Sequence, residues 1–116
     1  MDQTKKIISF DIDGTLAQHT GAESSDKIGD PLPYLKVFLN DLIDHQAELI
    51  IVSPRQKDTI EAWLKEHGLS YYFKEIHQKP STFIHLDART LQFKGSYATS
   101  LTEITLFKPW WVGEDN

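Results

Sequence analysis

The sequence predicts an α/β domain built on a parallel sheet, and three observations predict it. Short apolar runs at Lys6–Phe10 and Glu48–Val52 read as buried strands. Amphipathic segments, with apolar residues every three or four positions, alternate with them. Each run stops at a residue able to do chemistry, Asp11 or Ser53. Strands alternating with helices imply a parallel sheet, and in such sheets ligands bind beyond the carboxyl ends of the strands.

Lys6 to Phe10 is apolar and β-branched and delivers Asp11 at its end. Thr20 to Asp30 is rich in Gly, Ser and Asp and reads as a surface loop. Pro31-Leu32-Pro33 opens a helix on which Leu35, Phe38, Leu39, Leu42 and Ile43 share a face. Glu48 to Val52 is a strand halted by Ser53-Pro54. Asp58 to His67 is a helix with Ile60, Trp63 and Leu64 on one side, ended by Gly68. Leu69–Phe73 and Thr82–Asp87 are predicted as third and fourth strands, and Leu101, Ile104 and Phe107 predict a last helix stopped by Pro109. Asp87 then follows a strand, as Asp11 and Ser53 do. Gly113 to Asn116 reads as a frayed end, and Trp110-Trp111 as a packed terminus in preference to an exposed patch for another protein. No repeat or linker divides the chain, so residues 1–116 are expected to form a single domain.

Composition narrows the function classes. Of 116 residues, 40% are hydrophobic and 25% charged, the balance of a globular protein rather than a disordered one. A net charge of −5 excludes a broad basic nucleic-acid surface and leaves a metal cation or a small substrate. With no cysteine, disulfides, thiolate zinc sites and thiol nucleophiles are ruled out. There is neither a signal-peptide core nor an apolar run of membrane length, so a soluble, cytoplasmic protein with no membrane partner is expected. The five histidines lack metal-ligand spacing.

Asp11 and Asp13 lie two apart, so in an extended strand end their carboxylates would project to one side. Such carboxylates repel unless a cation sits between them, and oxygen ligands suit Mg2+. Gly14 allows a tight turn, and Thr15 offers a hydroxyl and an amide to an anion, so the pair would hold a phosphate against the metal. A calcium loop is the competing interpretation of D-x-D-G-T, but the chain continues Leu16-Ala17-Gln18-His19 with no further acids. A plain polar turn is the other, and the strand before Asp11 argues against it.

Phe10-Asp11-Ile12-Asp13-Gly14-Thr15 resembles the first motif of the haloacid dehalogenase-like phosphohydrolases. The resemblance implies a Rossmann-like three-layer sandwich. Asp11 would be the nucleophile that forms an aspartyl-phosphate, and Asp13 the general acid and base. Magnesium would be bound by the Asp11 carboxylate, the Asp13 backbone carbonyl and Asp87. Ser53, ending Ile50-Ile51-Val52, matches the second motif and would orient the phosphoryl oxygens, although serine before proline also leaves a sheet and caps a helix. Lys79 matches the lysine that neutralises charge at the nucleophile, with Lys74 its competitor; Arg55 and Arg89 are secondary candidates, each a phosphate contact or a surface partner of a carboxylate. The small capless members from bacteria and phages are similar over most of the chain, including Phe93-Lys94-Gly95 and Phe107-Lys108-Pro109-Trp110. They usually carry two adjacent acids where this chain has Asp87-Ala88. Fewer than twenty residues separate Leu16 from Pro33, too few for a cap domain.

The function expected is therefore a magnesium-dependent phosphatase, acting on a small phosphorylated substrate or on a phosphate of a larger molecule. Ala88 leaves open an alternative, a weak or inactive phosphate-binding domain with a regulatory role.

Overall fold

A computed structural model of the chain describes residues 6–20, 27–82 and 84–108. The middle of the expected 20–30 loop, Phe83, and the C-terminal stretch with Pro109, Trp110, Trp111 and residues 113–116 lie outside the described residues. The chain divides into two compact units, Met1–Ser81 and Thr82–Asn116.

In the first unit the order is β1 (Lys6–Phe10), α1 (Leu35–Asp44), β2 (Ala47–Ser53), α2 (Lys57–Glu66) and β3 (Phe73–Gln78). The three strands form one parallel sheet in the order β1-β2-β3, flanked by helices. Central β2 is buried on one face by Ala47, Leu49, Ile51 and Ser53, which alternate with half-buried residues, as a period of two requires. Helix α1 packs on β2 through Leu35, Phe38, Leu39 and Leu42, and α2 turns Ile60, Trp63 and Leu64 inward. Phe10 joins the layers, its ring edge-on to both Phe38 and Phe73 at 6.1 Å. Asp58 in the first turn of α2 and Lys65 in the last complement the helix dipole.

Two expectations need correction. The predicted strand Leu69–Phe73 is instead a 3₁₀ turn, Ser70–Tyr72, leading into β3. Gly68 ends α2 at φ +68°, and the Leu69 amide folds back to the Leu64 carbonyl at 2.8 Å. Leu69 is thereby buried as a helix cap, and the strand starts four residues later. Its polar residues Lys74, Glu75, His77 and Gln78 concealed it, as befits an edge strand with little buried surface. The β2–β3 register also shifts between Leu49 and Ile50, which pair with Phe73 and Glu75, so β3 carries one extra residue there.

The predicted fourth strand, Thr82–Asp87, is not among the strands of the described residues. Ile84 and Leu86 are exposed, and the segment ends in a turn in which the Asp87 carboxylate accepts the Arg89 amide at 3.1 Å. An apolar run becomes a strand only with a ladder partner for its amides and carbonyls. The second unit is otherwise organised around α3 (Tyr97–Leu106): Ser96 caps it through the Thr99 amide, Phe93 stacks on Tyr97 at 4.9 Å, and Lys94 pairs with Glu103 at 3.0 Å. Burial pushes the Tyr97 phenol above its ordinary pKa. Among the described residues no helix is long and apolar enough to cross a membrane.

Leu39→Ala should cost about 2–5 kcal/mol in urea unfolding because it opens a cavity under α1, whereas Val37→Ala on the exposed face should stay within about 0.5 kcal/mol. Equal effects would contradict this assignment of faces.

Candidate functional site

Strand β1 ends at Phe10, opposite Ile51, and the chain bends at Ile12. The Ile12 carbonyl then organises a tight loop, accepting the amides of Thr15, Leu16 and Ala17 at 3.1, 2.9 and 3.0 Å. Gly14 closes it by donating to the Ala17 carbonyl at 2.8 Å with φ +82°, a conformation that favours glycine. The far side of the loop is strapped to residues 30–32: Gln18 donates to the Asp30 carbonyl at 2.8 Å, and Leu32 to the Leu16 carbonyl at 2.9 Å. That pairing keeps Pro31-Leu32 extended, so the helix expected to open there begins only at Leu35.

The bend at Ile12 gives the two aspartates different surroundings. Asp11 is one-third exposed (33%); its Oδ1 accepts the Ile12 amide at 2.8 Å, and its Oδ2 lies 4.0 Å from Lys79 Nζ. Asp13 is buried, 6% exposed, and both its oxygens are held by one guanidinium: Arg55 Nε donates to Oδ2 at 2.7 Å and Nη2 to Oδ1 at 2.8 Å. The repulsion anticipated between the carboxylates is thus met by two side-chain cations, one for each. The sequence leaves Arg55 as a phosphate contact or a surface partner of a carboxylate; it has a carboxylate partner, but a buried one, and is itself only 5% exposed. The signal available was its place just after a buried strand, where an arginine needs a partner.

Ser53 and Lys79 are brought to the same end of the sheet because Ser53 pairs with Gln78 in the β2–β3 register. The Ser53 carbonyl accepts the Lys79 amide at 3.1 Å, and its Oγ accepts the Arg55 amide at 3.2 Å. Gln78 Nε2 donates to the Arg55 carbonyl at 2.8 Å, a brace that sequence reasoning did not identify. Ser53 has no exposed surface (0%). Gly14 is exposed and Thr15 half-buried. Lys74, the competing lysine, lies 3.9 Å from Glu48.

Asp87 belongs to the second unit. The Arg89 amide holds its carboxyl below the usual range, with His85 Nε2 at 3.3 Å of Oδ2 adding to the effect. Among the described residues, no group of three or more His, Asp or Glu side chains is arranged to hold a metal. The donor chemistry of the first unit still suits a hard cation in part: Asp11 offers a partly exposed carboxylate, while the Asp13 carboxylate is taken by Arg55 and leaves only its backbone carbonyl.

A recess of about 840 Å³ lies beside this site, bordered by His19, Lys27, Asp30, Asp58, Trp63 and Glu66 among others. Its wall is anchored by Trp63 Nε1, which donates to the Gly29 carbonyl at 2.9 Å, and by Arg55 Nη2, which donates to the Lys27 carbonyl at 3.2 Å.

No family model and no curated protein sequence matches the chain. Among solved structures it is similar to a conserved protein from Bacteroides thetaiotaomicron, with a TM-score of 0.60 at 19% identity over 88% of this chain and 91% of that one. At that identity the likeness shows the fold, a small α/β architecture.

A desolvated ion pair broken on one side leaves an uncompensated buried charge, so Asp13→Ala and Arg55→Ala should each destabilise the first unit by about 3–5 kcal/mol in urea titrations. Removing both charges together, as Asp13→Leu with Arg55→Met, should cost less than either single change. Additive losses would mean that the two side chains are not coupled.

Proposed function

We propose that the chain is a magnesium-dependent phosphomonoester hydrolase of the haloacid dehalogenase-like type, without a cap, with Asp11 as nucleophile. One observation carries the proposal: a partly exposed carboxylate stands at the C-terminal end of a parallel strand, with an ammonium group 4.0 Å from its outer oxygen and a Gly-Thr turn beside it. The Lys79–Asp11 pair is too exposed to add much stability, and its value is electrostatic. Lys79 lowers the repulsion an incoming phosphate dianion would meet, and the Thr15 hydroxyl offers a contact to its oxygens.

In the first half-reaction an Asp11 carboxylate oxygen bonds to phosphorus as the bond to the leaving oxygen breaks, and a protonated Asp13 passes its proton to that oxygen. In the second, water attacks the aspartyl-phosphate, its proton returns to Asp13, and the Asp11–phosphorus bond breaks to release phosphate. Asp11 and the Asp13 carbonyl would hold Mg2+, which when bound supplies charge neutralisation at the phosphoryl group. Ser53 supports the site from behind, fixing the backbone of Arg55 and Lys79. Small phosphorylated metabolites and phosphates on larger molecules are both candidate substrates for a site with no cap.

A second reading, a phosphate-binding domain with little or no turnover, is favoured by Ala88 beside Asp87 and by the Asp13 carboxylate's engagement with Arg55. Assays of aryl phosphate hydrolysis with Mg2+ separate the two. The wild type should turn over, Asp11→Asn should lose at least about 10³-fold in kcat while remaining folded, and EDTA should abolish the activity. An inactive wild type that gains turnover on Ala88→Asp would support the second reading instead.

A further inference from the structure

We propose that Arg55 is the positioning residue for Asp13, rather than a contact to substrate phosphate; the inference rests on the phosphohydrolase reading of the same site. Three observations support it. The guanidinium is buried with its fork spread across both Asp13 oxygens, at 2.7 and 2.8 Å, a geometry that fixes the plane of the carboxylate as well as its place. Arg55 is itself locked at the backbone, where its amide donates to Ser53 Oγ and its carbonyl accepts from Gln78 Nε2. Nη2 also donates to the Lys27 carbonyl at 3.2 Å, so the group that steers Asp13 ties in the wall of the neighbouring recess.

The arrangement defines what Asp13 must do to act. Each Asp13 oxygen keeps a second lone pair beside its bond to the guanidinium, so the carboxylate meets a reacting oxygen in the orientation that the fork sets. Arg55 is held in turn, since Nη2 also keeps the Lys27 carbonyl as an acceptor. The arginine therefore fixes one orientation of the carboxylate. Removing it would leave Asp13 free to adopt rotamers that miss the reacting oxygen.

The test is steady-state hydrolysis of an aryl phosphate with Mg2+ at fixed pH by wild type, Arg55→Lys and Arg55→Ala, each corrected for the folded fraction by circular dichroism. Arg55→Ala should lose about 10²-fold in kcat with KM within about 3-fold of wild type, the cost of a misplaced catalytic group. Added guanidinium at non-denaturing concentration should restore part of the loss where sodium chloride at equal ionic strength does not. Arg55→Lys, which keeps the charge but not the fork, should fall between the two. A raised KM with unchanged kcat would make Arg55 a phosphate contact and overturn the proposal. So would unchanged kcat per folded molecule, which would leave it a purely structural role. If the wild type itself shows no Asp11-dependent turnover, the phosphohydrolase reading falls and takes this one with it, whereas an active wild type with either overturning result sinks this one alone.

Discussion

The ion pair between Asp13 and Arg55 is the constraint around which the end of the sheet is arranged. One partner lies in the loop after β1 and the other just past β2, and neither is exposed enough for water to replace the bond. Each charge would be costly alone, so the loop and the segment after β2 adopt only conformations that keep the two together. From this follow the bend at Ile12, the amides gathered on its carbonyl, and the anchoring of residues 27–32 against the loop. Hydrophobic packing decides that a sheet forms, and the buried pair decides how its two loops meet above it.

The same pair divides the labour of the motif. Asp11 keeps solvent access and a lysine at 4.0 Å, as a nucleophile approached by an anion requires, while Asp13 is drawn inward. Two carboxylates that look equivalent in the sequence thus differ in burial and in the shape of their cation. A guanidinium fork restrains orientation, whereas an ammonium supplies charge without dictating a plane.

How much was legible before the structure varied with the physics of each element. Lys6–Phe10 and the β2 run were readable because both are apolar and end abruptly, and Leu35 to Ile43 because a helix burying one stripe must repeat at three and four. Strand β3 was not, since an edge strand of Lys, Glu, His and Gln carries no burial signal and Leu69 was captured by the helix cap before it. Thr82–Asp87 misled in the opposite direction, because it has a strand's composition without a ladder. In the site, Asp11 was readable from its place after β1, and Lys79 only from its spacing before Asp87, although no fourth strand lies there among the described residues. The fates of Ser53 and Arg55 depended on burial, and a pairing across 42 positions of sequence leaves no local trace.

The extra residue where β3 passes Leu49 and Ile50 has a consequence for how this segment can vary. Side chains alternate along a strand, so the bulge sets the phase in which Gln78 arrives opposite Ser53 and Lys79 emerges beside Asp11. The chemical identity of Lys74, Glu75 and His77 matters little to that outcome, since all three are exposed. Their number matters a great deal. Between Phe73 and Lys79 the chain behaves as a spacer, tolerant of exchange at its exposed positions and intolerant of insertion or deletion, and the lysine's reach to the nucleophile is fixed by counting residues.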